Sequence, residues 1–229
     1  MRSSKSSRAR TSHSSYAVAF ACVFAIVAVA TPRAEADVTR GQMRSYTRFL
    51  ERYYQETVLP LVSEDGGARD TVTVFAVMSN ASADMSERLL RDIGLRMGPL
   101  LPEAQVQFVT VVELTWVPGL LRWLADAEIQ RKYNDTAAFY RRYYADLPAF
   151  EGRPNALNRY VDRTIFVYPE YEGRLPDGLR EAVEGGCFIA ILDPQGRATF
   201  SELATTTDDS VLIFAEIQEA LRAEEENRR

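Results

Sequence analysis

Histidine, cysteine and lysine are almost missing from this chain. Of its 229 residues one is histidine, His13, and two are cysteine, Cys22 and Cys187. The lysines are Lys5 and Lys132. Beyond residue 36 the chain keeps no imidazole, one thiol and one lysine. Each shortage excludes a chemistry. Without imidazole there is no Ser-His-Asp triad, no histidine general base and no histidine metal ligand. One thiol forms neither an intramolecular disulfide nor a Cys-x-x-Cys pair. There is also no P-loop, no GxGxxG and no metal-ligand spacing, so neither a cofactor nor a metal is expected.

Long apolar runs are missing too, apart from one. Residues 16–30 carry no charge and follow Arg2, Lys5, Arg8 and Arg10. Ala34-Glu35-Ala36 comes soon after. A basic head, a short apolar run and an A-x-A site describe a secretory signal peptide over residues 1–36. The run is short for a membrane-spanning helix, which needs about 20 residues. An uncleaved anchor is the alternative, and only then is a membrane partner expected. Cys22 follows Ala19-Phe20-Ala21, a poor lipobox. The expected location is periplasmic or secreted.

Processing would leave 22 basic and 31 acidic residues, a formal charge of −9. So acidic a chain, with so little lysine, is poorly suited to a phosphate backbone, and no nucleic-acid partner is expected. A protein partner remains open. The aromatic and basic mixture of Tyr133 and Phe139-Tyr140-Arg141-Arg142-Tyr143-Tyr144 has the spacing of a helix that buries one stripe and wets the other.

The pattern along the chain alternates. Residues 42–61 read as a helix, with Met43, Tyr46, Phe49, Leu50, Tyr53 and Tyr54 three and four apart. Residues 71–78 and 106–114 read as strands, and 85–97 as an amphipathic helix stopped by Gly98-Pro99. Thr115 reads as the cap of a long helix over 116–146, with Pro118 in its first turn. Residues 163–168 form a third strand pattern, and 176–183 a short helix or turn. Phe188-Ile189-Ala190-Ile191-Leu192 is an apolar run of the kind buried on both faces of a sheet. Asp193-Pro194-Gln195-Gly196 has turn chemistry at every position, so a hairpin is expected. Thr207-Asp208-Asp209 reads as the cap of the last helix, striped by Val211, Phe214, Ile217 and Leu221. This implies an α/β fold: a central mixed sheet flanked by helices, with an extra N-terminal helix and a long central helix. The expected division is a signal segment (1–36), an N-terminal helix and linker (37–69) and a domain (70–229).

Strand–helix–strand–helix, then hairpin, then helix resembles a thioredoxin-like domain. Val109-Thr110-Val111-Val112 with Val117-Pro118-Gly119, and Ala190-Ile191-Leu192-Asp193 with Gly196-Arg197, are similar to YtfJ-type periplasmic proteins of that fold. The resemblance covers roughly residues 70–221. It places Asn80-Ala81-Ser82-Ala83 where thioredoxin-like proteins carry Cys-x-x-Cys, and Cys187 near their cis-proline. With neither cysteine in place, dithiol exchange has no attacker and no resolving thiol.

Two groups remain as candidate sites. Asn80, Ala81, Ser82 and Ala83 precede a helix whose N-terminus could hold an anion, although capping by Asn80, Ser82 or Asp84 also explains them. Cys187 is the one candidate catalytic residue, as the thiol of a peroxidase or thiol-transfer enzyme. That role needs a cation or a helix N-terminus to lower its pKa. A small apolar residue opening a core strand is the other reading, and it predicts a buried, slow thiol. Binding or scaffolding without redox chemistry is the expected function.

Overall fold

Five strands form one mixed sheet in the order β3-β2-β1-β4-β5. The computed structural model describes residues 38–67, 71–101 and 105–228. The expected signal segment and cleavage site lie outside these residues. In chain order the elements are α1 (Arg40–Tyr53), a π turn (Tyr54–Val58), α2 (Leu59–Glu64), β1 (Val72–Ser79) and α3 (Ala83–Met97). Then come β2 (Val106–Glu113), α4 (Arg122–Tyr144), α5 (Pro154–Asp162), β3 (Ile165–Glu170) and α6 (Asp177–Gly185). The chain closes with β4 (Cys187–Leu192), β5 (Ala198–Ala204) and α7 (Ser210–Asn227). Strands β1, β2 and β3 are parallel, while β4 runs antiparallel to β1 and β5 antiparallel to β4.

The period of two along β1 sorts its side chains between two cores. Phe75 and Val77 face α1, α2 and α6, against Leu50, Val58, Val62, Leu179 and Phe188. Val74 and Ala76 face α3 and α7, against Leu89, Ile93, Ile213 and Ile217. A strand buried on both faces needs no polar alternation, which is why β1 and β4 read as unbroken apolar runs. α4 and α5 build a third cluster from Tyr140, Tyr144, Leu157, Val161 and Ile165.

The N-terminal helix differs from its expected form. Thr39 and Gln42 close a capping box at its start, the Gln42 side chain accepting from Thr39 N at 2.9 Å. Pro60 accounts for the π turn, in which Leu59 N donates to Tyr54 O. Proline offers no N–H and its ring collides with the carbonyl four residues earlier, so the preceding turn widens. α1 through α2 supplies Tyr46, Leu50, Tyr53, Tyr54, Val58 and Val62 to the core under β1. Residues Ala36–Arg229 therefore form one unit, with this helix inside its core.

One helix start is also corrected. The long helix starts at Arg122, not 116, because Pro118 takes an extended backbone and a 3-10 turn intervenes at Gly119–Leu121. At the last helix Asp209 is the N-cap, within the expected Thr207-Asp208-Asp209, and the 3-10 turn that these residues form is itself capped by Thr206, with Asp209 Oδ2 accepting from Thr205 N at 2.9 Å and Thr206 N at 3.0 Å. α5, over residues given no element from sequence, opens on Pro154 in its first turn.

The aromatic stripe of α4 is structural. Tyr140 Oη donates to Leu90 O at 3.1 Å and Tyr144 Oη donates to Gly94 O at 2.6 Å, binding α4 to α3. Arg91 lies over the Phe139 ring at 4.6 Å, and Arg141 pairs with Asp162. Gly94 makes this approach possible, since a Cβ there would stand 2.2 Å from Tyr140 Oη. Gly94→Ala should therefore destabilise, although alanine favours a helix interior by about 1 kcal/mol. Overpacking and the displaced Tyr140 outweigh that gain, for a net loss of about 1–3 kcal/mol. Denaturant titration should show it as a lowered midpoint, partly recovered in a Tyr140→Phe background; an unchanged or raised midpoint refutes the packing argument.

Candidate functional site

Parallel strands that start in register also end in register, and the chemistry of this sheet gathers at that end. Ser79, Glu113 and Glu170 stand side by side at the last positions of β1, β2 and β3. All three are buried. Because β4 is antiparallel, its first residue, Cys187, lies at the same end, beyond the Val77–Phe188 pair. Loops leaving the C-terminal ends of parallel strands are where open α/β sheets place ligands.

The turn after β1 closes on itself. Ser79 Oγ donates to Val183 O at 3.0 Å and accepts from Ala81 N at 3.1 Å and Ser82 N at 3.4 Å. Ser82 Oγ accepts from Ser79 N at 3.2 Å. Serine hydroxyls next to a turn commonly satisfy the backbone in this way. Of the caps expected at Asn80, Ser82 or Asp84, Ser82 occupies the N-cap position of α3, but its side chain makes no cap bond to the helix and instead holds the turn with Ser79. Asn80 is half-buried, Ala81 exposed, Ser82 buried and Ala83 half-buried. Asp84 already places a carboxylate in the first turn of α3, where the helix field favours negative charge.

Cys187 is fully buried, at 0% exposure, in the core under α3 and α7. It is the free cysteine of the described residues. Burial pushes its thiol from the ordinary value of 9.0 up to about 12, and the Ser86 hydroxyl, which acts in the opposite direction, is outweighed. A helix N-terminal turn does lie beside the sulfur, through Ser86, but a desolvated thiolate is too costly for one hydroxyl to rescue. The space beside Gly186, which precedes Cys187, is filled from within. A Cβ there would stand 2.6 Å from Ala204 O at the end of β5.

The two buried carboxylates are held by their own neighbourhoods. Glu113 Oε1 accepts from Thr115 N at 3.0 Å and from the Thr115 hydroxyl. This takes Thr115 away from the helix that it was expected to cap. Glu170 Oε2 accepts from Tyr53 Oη at 2.7 Å, and its Oε1 from Glu172 N at 2.7 Å. Burial, then the Glu170 hydrogen bond, raise the Tyr53 pKa, so the phenol stays the donor. Arg180 Nη1 donates to Thr115 Oγ1 at 3.3 Å and also pairs with Asp177. Arg122 donates to Tyr171 O at 3.2 Å, lies over that ring at 4.8 Å, and Tyr171 Oη donates to Asp126 Oδ1 at 2.7 Å. These contacts tie the loops after β2 and β3 to α4 and α6.

Beside this polar base the loop from β2 to α4 and the first turn of α4 carry the largest exposed apolar side chains of this end. Trp116 is 43% exposed, Leu120 84% and Trp123 65%. Sequence reasoning missed them, and it missed Glu170, Arg122 and Tyr171. The available signal was Thr115-Trp116-Val117-Pro118-Gly119-Leu120-Leu121, seven residues without a charge that hold one of the chain's two tryptophans. Among the described residues no group of three or more histidine, cysteine, aspartate or glutamate side chains could hold a metal. No family model, curated protein or solved structure matches the chain.

Proposed function

We propose that this is an exported binding protein with a thioredoxin-like fold of the YtfJ type, without dithiol chemistry, acting in the periplasm or outside the cell. The fold reading is supported by the sheet order, in which a parallel strand–helix–strand unit adjoins an antiparallel hairpin followed by a helix. The export reading is supported by the basic head, the uncharged run of residues 16–30 and Ala34-Glu35-Ala36. One observation carries the functional reading. The turn between β1 and α3 is Asn80-Ala81-Ser82-Ala83, while Cys187, beside it, is sealed and protonated. A peroxidase or thiol-transfer role for Cys187 needs an accessible thiolate, and Cys187 is neither accessible nor ionised. What this end of the sheet offers is a braced polar base and an exposed apolar tip, the parts of a docking surface.

The test is made on protein recovered from the exported fraction. Its intact mass should correspond to a chain beginning at Asp37, and insulin reduction with a regenerating reductant should match the buffer blank. Turnover that is well above the blank and lost in Cys187→Ser overturns the functional reading. A full-length species confined to membranes overturns processing and favours the anchored form.

A further inference from the structure

We propose that the end of the domain carrying the loop between β2 and α4 docks on a lipid bilayer, with Trp116, Leu120 and Trp123 seated at the headgroup level. This rests on the export reading above, which carries the processed domain across a membrane.

The composition of the tip fits a lipid interface. Both tryptophans of the chain lie within eight residues of each other, flanking Leu120, and no charged residue stands between Thr115 and Leu121. Tryptophan, with an apolar body and one N–H, favours the boundary between acyl chains and headgroups. The tip is also firmly based. Val117 is buried and its N donates to Leu114 O at 3.0 Å, and Leu121 N donates to Pro118 O at 2.8 Å. Presenting these side chains costs little ordering when they bind.

Size decides between a bilayer and a protein. At their exposures the three side chains offer roughly 400 Å², taking about 150–250 Å² for a whole large apolar side chain. A stable protein interface needs about 800 Å² from each partner. The patch is too small to hold a second copy or a folded partner alone, whereas interfacial anchoring needs only a few inserted apolar residues.

Tyr46 of α1 packs edge-on against Phe188, near the first residue of β4, and touches Gly178 of α6. Gln55, beyond α1, donates at 3.0 Å to Gln195 O in the hairpin turn at the opposite end of the sheet. α1 therefore starts at the end that carries Trp116 and Leu120.

Charge sets the kind of lipid. Near the tip Glu172 pairs with Arg174 and Asp177 with Arg180, so local charge is balanced, while residues 37–229 carry a formal −9. Docking is by insertion, so uncharged headgroups are favoured over anionic ones and salt has little effect.

The test uses residues 37–229 with phosphatidylcholine vesicles, and with vesicles of phosphatidylcholine and phosphatidylglycerol. Both tryptophans sit in the tip, so their fluorescence reports it directly. The expected result is a blue shift that saturates with phosphatidylcholine, is weaker with the anionic vesicles and persists in about 0.5 M salt, where screening acts within a few Å. Leu120→Asp keeps both tryptophans and should lower partitioning at least tenfold, with an unchanged melting curve because Leu120 is exposed. Absence of a shift, equal partitioning of Leu120→Asp, release by salt, or a shift that grows with protein concentration without lipid each overturns the proposal. The insulin and mass measurements are made without vesicles, so failure here and failure of the functional reading are separable.

Discussion

Cys187 in the folded protein should react with an aromatic disulfide reagent at least a thousandfold more slowly than in the denatured chain at the same pH. The argument has two parts. Moving the thiol from 9.0 to about 12 lowers the thiolate fraction at neutral pH about a thousandfold, and the thiolate is the nucleophile. The sulfur is also at 0% exposure, under α3 and α7, so the reagent reaches it only when the protein opens. The measurement follows labelling in buffer and in denaturant from pH 6 to pH 9. Folded-state labelling should track unfolding, and a variant that loosens the fold, such as Gly94→Ala, should label faster. Rapid labelling of the folded protein at pH 6 would reveal a stabilised thiolate and refute both the burial argument and the non-catalytic reading.

Folding stability should collapse on the alkaline side, in one cooperative step. Burial raises the pKa of Tyr53, Tyr54, Tyr133, Tyr140, Tyr144, Tyr168 and Tyr171, and pushes Tyr160 up to about 12. Cys187 rises for the same reason. A group with a raised folded pKa gives its full stability below the unfolded value, and loses it as pH climbs toward the folded one. The unfolded values are 9.0 for the thiol and 10.0 for the phenols. These groups should therefore leave stability level from neutral pH to about pH 9 and make it fall steeply above that. Cys187 alone accounts for about 4 kcal/mol across that window. Melting temperature against pH, followed with phenolate absorbance, is the measurement. Most of the phenolate signal should appear together with the loss of helix. A gradual titration centred near 10 in a protein that stays folded would contradict this account. Tyr140→Phe in α4 and Cys187→Ala in β4 should each move the collapse to higher pH.

Much of the architecture can be read from local pattern alone. β1 and β4 are apolar runs because both of their faces are covered, and a run of that kind needs no tertiary information to be seen. The hairpin is equally local. Asp193 accepts from Gln195 N and Arg197 N at 2.9 Å each, as a turn-opening aspartate does, and Gly196 takes a positive φ. The shortages are local as well, since a chain without imidazole beyond residue 36 excludes histidine catalysis whatever its fold.

The candidate site was far less legible, because it is made by pairing between distant segments. Nothing local says that Ser79, Glu113 and Glu170 end their strands in one row; the register of three parallel strands decides it. Thr115 has the residue type of a helix cap, yet Glu113, two residues back, takes its N–H and hydroxyl and delays α4 to Arg122. Gly186 is visible as a glycine, but only the approach of Ala204 O shows what requires it. The sequence by itself determined the missing chemistries and the alternation of elements, both properties of neighbouring residues, while the burial of Cys187 was one of two readings until the structure decided it. Only the tertiary structure decided that Trp116, Leu120 and Trp123 stay in solvent at the end from which α1 sets out. Exposure depends on what the rest of the chain leaves uncovered, and no nearest-neighbour pattern records that.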